Sequence, residues 1–166
     1  RINISFVDEK ITEITCHGLG AYSLFPETRT IIDIGGQDSK VIGLDQEGKV
    51  DDFMMNDKCA AGTGRFLEVM AENLEVPLTE IGQVSLKADS PADISSTCTV
   101  FAESEVISLV AEGVDKSRIL RGLHTAIVKR LSGMIYRVGL NEEVTMTGGV
   151  CHNEGVFKIL EDELNL

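Results

Sequence analysis

Arg29-Thr30-Ile31-Ile32-Asp33-Ile34-Gly35-Gly36-Gln37-Asp38-Ser39-Lys40-Val41-Ile42-Gly43-Leu44 is the stretch from which the rest of this 166-residue chain is read. The β-branched run Thr30, Ile31 and Ile32 predicts a buried strand over 29–34. Gly35-Gly36-Gln37-Asp38 is a turn, and 39–44 is the returning strand. Asp45-Gln46-Glu47-Gly48 forms the next hairpin turn, and 49–55 a third strand. Three antiparallel strands joined by tight turns are therefore expected.

The glycine pair inside the first turn allows backbone angles closed to other residues and lets N–H groups come close to an anion. Ser39 and Lys40 offer a hydroxyl and a charge. Asp33, Gln37 and Asp38 flank the turn with groups able to orient water or Mg²⁺ beside a phosphate. Without such neighbours a Gly-Gly pair is a plain hairpin turn. A second pair, in Met146-Thr147-Gly148-Gly149-Val150, follows a short strand over 144–147 and precedes a helix. A planar ring has room against bare backbone there, although a strand-to-helix turn also needs glycine for packing. Gly62-Thr63-Gly64 reads as a flexible loop, a helix entry or part of a phosphate wall.

Beyond the strands the texture is helical. Phe66, Val69, Met70 and Leu74 recur at helical spacing over 65–74. Pro77 ends that segment, and 78–86 reads as a short helix. Helices over 100–112, 116–138 and 153–164 follow, the longest with Ile119, Leu123, Ile127, Leu131 and Ile135 on one face. The region 11–17 has no clear period and reads as a short helix or a strand.

Two cysteines fall at expected helix starts, in Asn56-Asp57-Lys58-Cys59-Ala60-Ala61-Gly62-Thr63-Gly64-Arg65 and in Ser95-Ser96-Thr97-Cys98-Thr99-Val100-Phe101-Ala102-Glu103. A helix N-terminus carries partial positive charge, which favours a thiolate able to hold a metal or cluster. An arbitrary free cysteine is a buried thiol instead. Cys16, beside His17, and Cys151, beside His152, keep that plain reading, and His124 reads as core or boundary. Glu103 and Glu105 suit the positive end of a helix, and Arg118, Arg121, Lys129 and Arg130 read as a solvated basic stripe.

Hydrophobic residues make up 43% of the chain, so a packed globule is expected. A net charge of −12 argues against nucleic-acid binding, which needs a basic face, but not against a phosphate pocket built from backbone N–H groups. No apolar run approaches the ~20 residues of a membrane span. The opening Arg1-Ile2-Asn3 carries no leader-like pattern, and four cysteines without close pairing do not make a disulfide framework. A cytoplasmic setting is expected. The first residue is not Met, so the chain is expected to be a piece of a longer protein.

The order of these motifs resembles the activator family of 2-hydroxyacyl-CoA dehydratases, which includes ATPase subunits of benzoyl-CoA reductase. That family belongs to the acetate and sugar kinase, Hsp70 and actin superfamily. Ile31-Ile32-Asp33-Ile34-Gly35-Gly36-Gln37-Asp38 is similar to its second phosphate hairpin. The Cys59 and Cys98 runs resemble its cluster-cysteine motifs, and Thr147-Gly148-Gly149-Val150 its adenosine motif. The resemblance covers the chain from about Lys10 onward.

It implies an α/β, actin-like (ribonuclease H-like) ATPase domain over 1–166, with a mixed sheet that starts antiparallel, flanking helices and a helical cluster-binding insertion at about 57–113. Asp33 and Gln37 would be catalytic. Gly35, Gly36, Gln37, Ser39, Lys40, Gly148, Gly149 and Val150 would bind ATP or ADP with Mg²⁺. Cys59 and Cys98 from each of two subunits would hold one [4Fe–4S] cluster on the axis of a homodimer; four thiolates are what such a cluster needs. The implied function is an ATP-dependent activator. It would take electrons from a ferredoxin or flavodoxin and pass one, at low potential, to a 2-hydroxyacyl-CoA dehydratase as ATP hydrolysis changes the angle between helices beside the cluster. Nothing here matches the family's first phosphate hairpin, and its closing strand and helix are also lacking. The chain is therefore expected to be the second of two halves, with weak or no nucleotide affinity alone. Two alternatives stay open: a sugar or carboxylic acid kinase of the same superfamily, and a redox- or metal-sensing ATP-binding module.

Overall fold

A computed structural model describes residues 8–95 and 98–166. The opening Arg1-Ile2-Asn3 and, in the second cysteine motif, Ser96 and Thr97 lie outside the described residues. The elements in chain order are α1 (Glu13–Leu24), β1 (Thr30–Ile34), β2 (Ser39–Leu44), β3 (Val50–Asn56), α2 (Gly64–Asn73), α3 (Ile81–Leu86), α4 (Thr99–Ala111), α5 (Lys116–Val138), β4 (Val144–Thr147) and α6 (Glu154–Leu164), with a 3-10 turn over Gly149–His152 before α6. Among them no helix is long and apolar enough to cross a membrane.

The four strands form one mixed sheet in the order β3-β2-β1-β4. β1, β2 and β3 are antiparallel neighbours, and β4 returns parallel to β1 after the helical stretch. Every residue of β1 and β2 is buried, as expected for central strands covered on both faces. Side chains alternate between the faces. Ile32, Ile34 and Val41 join the main core with Phe66, Met70, Leu123, Ile127 and Leu131 of the helical layer. Ile31, Ile42 and Leu44 point the other way and pack under α1 with Ala21. The sheet is thus the middle of three layers. The long α5 crosses β2 and β3 and also meets α3, α4 and α6. Its five expected core residues are all fully buried, and truncating one such Leu or Ile to Ala costs about 2–5 kcal/mol.

α1 departs from the sequence reading. The region taken as a short helix or strand is a 12-residue helix capped by Thr12, whose hydroxyl accepts from Thr15 N. Only Gly18 and Ala21 of it are buried, with Ile14 and Tyr22 partly buried against the same cluster, so its apolar period is weak. Gly18 lies so near the Val50 and Leu44 side chains that a larger residue would hold the helix off the sheet.

Gly148 seats the end of β4 against β1. Its φ is +85°, and a Cβ there would overlap the carbonyl of Ile34. Gly148→Ala is therefore expected to cost about 2–4 kcal/mol, from left-handed strain and overpacking together. Urea unfolding checks this; an alanine variant as stable as the parent would contradict so tight a seat.

Candidate functional site

The β1–β2 turn, the start of α2 and the 3-10 turn after β4 meet at one end of the sheet. The N–H groups of Gly64 and Arg65 donate to the carbonyls of Gly35 and Gly36, each at 2.8 Å. This brings Gly64 against the turn: a Cβ on it would stand 3.2 Å from the Gly36 Cα. Beside this junction opens a cleft of about 470 Å³, lined among others by Gly36, Gly64, Glu68, Gln83, Gly149 and Val150.

Of the residues singled out as nucleotide ligands, Gly36, Gly149 and Val150 line the cleft. Gly35 is half-buried behind them and Gln37 is exposed at the turn tip. Gly148 lies outside the lining, in its seat on β1. Of the three readings of Gly62-Thr63-Gly64, helix entry is the one observed, with Gly64 also a wall of the cleft. Leu78, Thr79, Gln83 and Asn153 are cleft residues that the sequence reading did not single out. Asn153 carried the one usable signal, as an Asn immediately before an apolar helical period. None of the basic residues of α5 lines the cleft. Arg121 donates to the Ala88 carbonyl and Arg130 to Asn56.

Behind the turn lies an ionic cluster built on the buried Asp33 and Lys40, with Asp38 half-buried and Glu13 exposed. Asp33 and Lys40 are directly opposite across the β1–β2 ladder. The Lys40 ammonium reaches Asp33 Oδ2 at 3.2 Å, Asp38 Oδ1 at 2.8 Å and Glu13 Oε1 on α1 at 3.1 Å. Burial works against its charge, but bonds to Asp38, Glu13 and Asp33 together outweigh that and hold its pKa above the ordinary lysine value. Asp33 Oδ1 accepts from the Thr147 hydroxyl at 2.8 Å. A hydroxyl has one hydrogen, so the Thr147 oxygen accepts from His17 Nε2, 2.9 Å away. Ser39 is also buried, and its hydroxyl has no hydrogen-bond partner among the described residues.

The two motif cysteines occupy different local settings. Cys98 is the N-cap of α4, exposed, with its carbonyl accepting from Ala102 N at 2.9 Å. Cys59 is half-buried and does not begin a helix; it sits in the loop between β3 and α2. Gly62, at φ +87°, turns the chain before α2 can start. All four cysteines are free thiols. Among the described residues no group of three or more His, Cys, Asp or Glu side chains is disposed to hold a metal ion.

The cleft floor rests on one buried histidine. His124 of α5 places Nδ1 2.9 Å from Ser85 Oγ and Nε2 3.3 Å from Asn153 Nδ2. Ser85 donates its hydrogen to the Gly82 carbonyl, so His124 donates from Nδ1 and accepts at Nε2. Asn153 then caps α6 by accepting from Val156 N.

The fold is that of the actin-like ATPases, with the cleft where strand ends and helix starts converge. The chain belongs to the BadF/BadG/BcrA/BcrD ATPase family, whose model matches residues 2–165. It is 55% identical over 158 residues to the activator of lactoyl-CoA dehydratase of Anaerotignum propionicum, covering 95% of this chain and 61% of that protein. The structure of component A of the Acidaminococcus fermentans (R)-2-hydroxyglutaryl-CoA dehydratase superposes with a TM-score of 0.90 at 49% identity, over 96% of this chain and 61% of that one. The activator of the 2-hydroxyisocaproyl-CoA dehydratase from Clostridium difficile, solved with bound ADPNP, gives 0.90 at 50% identity, over 98% and 60%. The chain thus spans about three fifths of the length of the curated relatives it matches.

Burial lowers the His124 pKa to about 3 from the ordinary 6.5. The unfolded chain takes up this proton below pH 6.5 and the folded chain does not until about pH 3. Stability is therefore lost as pH falls through that window, at about 1.4 kcal/mol per pH unit. His124→Gln removes this contribution. Urea unfolding at pH 7.5, 6 and 5 is expected to show its stability deficit shrinking as pH falls; a deficit constant with pH would contradict the neutral buried imidazole.

Proposed function

We propose that this chain is the nucleotide-responsive part of an ATP-dependent activator. It binds a [4Fe–4S] cluster at a homodimer interface and, coupled to ATP hydrolysis, delivers one low-potential electron to a 2-hydroxyacyl-CoA dehydratase. A ferredoxin or flavodoxin is the donor. The observation that carries the reading is the pair of bonds from Gly64 and Arg65 to the Gly35-Gly36 turn. The helix that follows the Cys59 loop starts directly on the phosphate hairpin, so neither can shift without the other.

In this reading the cleft takes ATP or ADP, with the base between the α2–α3 wall and Gly149-Val150 and the phosphates at Gly36. The exposed Gln37 amide orients the water that attacks the terminal phosphorus as the bond to the bridging oxygen breaks. Asp33 acts as a fixed negative charge beside it. Both of its oxygens are engaged, by Lys40 and Thr147, so the donor set suits Mg²⁺ through intervening water and not by direct coordination.

The thiols fit a shared cluster. Cys98 is exposed at a helix N-terminus and Cys59 lies on a constrained loop, two sulfurs per chain and four per symmetric pair. Such a group supplies a one-electron store. α4 buries only Ala102 and Val106 and leaves Val100 and Phe101 each 67% exposed beside Cys98. An apolar surface of that kind favours burial between subunits.

Anaerobic reconstitution with iron and sulfide, followed by metal analysis and mass determination, tests the proposal. The expected product is a coloured dimer carrying one cluster, with both colour and dimer lost in Cys98→Ser. A colourless monomer after reconstitution, or full iron retention in Cys98→Ser, would overturn it.

A further inference from the structure

Asn56 ends β3, and its side chain is buried. Its backbone pairs with Ser39, the first residue of β2 after the Gly35-Gly36-Gln37-Asp38 turn. Its amide nitrogen donates both hydrogens into the cysteine loop, to the Cys59 carbonyl at 3.0 Å and the Ala61 carbonyl at 2.8 Å. Its amide oxygen accepts from Arg130 Nη2 of α5 at 3.3 Å. Carbonyls only accept and a guanidinium only donates, so these partners fix the amide in one orientation.

The loop beyond is closed with equal economy. The Thr63 hydroxyl and N–H both reach the Ala60 carbonyl, at 2.6 and 3.1 Å. Gly62 lies over the Arg130 stem, where a Cβ would stand 3.3 Å from Cδ. Gly64 and Arg65 then return the chain to the carbonyls of Gly35 and Gly36. Both ends of the segment that carries Cys59 are therefore anchored on the β1–β2 hairpin. One anchor is the Ser39–Asn56 ladder, and the other is the start of α2.

We infer that Asn56 is a positioning residue: its amide clamp sets the place of the Cys59 thiol and makes it follow the phosphate hairpin, with Arg130 bracing the amide from α5. The clamp on Cys59 stands on the hydrogen bonds alone; its response to nucleotide rests on the activator reading. Asn56→Asp keeps the shape and the Arg130 contact but turns an oxygen toward two carbonyl oxygens, so it converts the clamp into a repulsion.

The test is the rate of iodoacetamide alkylation at each cysteine of the reduced, iron-free chain, resolved by mass spectrometry. With no nucleotide present, Asn56→Asp is expected to raise the Cys59 rate roughly tenfold, as the loss of two net hydrogen bonds implies. Rates at Cys16 and Cys98 stay as in the parent. Arg130→Ala, at an exposed position that threatens the fold less, raises the Cys59 rate by a smaller factor. An unchanged Cys59 rate in both variants, or an equal rise at all cysteines, would overturn the clamp. In millimolar ADP the parent's Cys59 rate is expected to shift and that of Asn56→Asp to stay put. If ADP binds, by calorimetry, and the parent's Cys59 rate ignores it, the link to the hairpin is wrong. If ADP does not bind this chain alone, the ligand-free rates decide the clamp.

Discussion

Two backbone hydrogen bonds, from Gly64 and Arg65 to the carbonyls of the Gly35-Gly36 turn, hold this structure's functional end together. They are short, and they bring Gly64 so close that a Cβ on it would stand 3.2 Å from the Gly36 Cα and 3.3 Å from the Gly35 carbonyl oxygen. Each is worth about 1 kcal/mol net, little beside the hydrophobic core. Their importance is geometric. They set the first turn of α2 on the hairpin, and that contact forms one wall of the cleft and fixes one end of the Cys59 loop. A rigid junction of this kind is what a change at a phosphate needs if it is to reach a thiol elsewhere in the fold.

The buried charges behind the turn keep the hairpin from deforming. The buried Lys40 sits among Asp33, Asp38 and Glu13, and removing Lys40 or its buried partner Asp33 leaves buried charge poorly compensated. Because Glu13 comes from α1, the cluster also ties that helix to the sheet. Thr147 brings in β4 and His17 a second contact from α1. Three separate chain segments thus converge on Asp33, and on the other side of the sheet His124 performs a comparable service for Asn153 and the cleft floor.

Most of the architecture was legible in the sequence because the signals were local. β-branched runs between glycine turns marked β1, β2 and β4, and the apolar period of α5 marked its full length of Lys116–Val138. α1 was hidden because its packed face, Ile14, Gly18, Ala21 and Tyr22, rests on small residues at its centre and makes only a weak apolar stripe. The cleft was half visible: its glycine walls announce themselves, whereas Leu78, Thr79 and Gln83 come from a turn and a short helix with no chemical signature. The engagement of Lys40 with Asp33, Asp38 and Glu13 was not read from the sequence, where Lys40 was expected at the nucleotide; Asp33 lies opposite it in the hairpin register, and Glu13 lies too far back in the chain for spacing to indicate. Cys59 was expected at a helix start, and the turn at Gly62 defers that start to Gly64. The anchoring of the Cys59 loop through Asn56 was not legible, because it depends on a side chain reaching carbonyls.

The central proposal is that the β1–β2 hairpin and the Cys59 loop respond to nucleotide as one body. Hydrogen–deuterium exchange of the chain with and without millimolar ADP tests it most directly. The account predicts slower exchange in 35–38 and 149–150 together with a matched change across 57–65. Protection confined to the two glycine turns, with exchange across 57–65 unaltered, would contradict it.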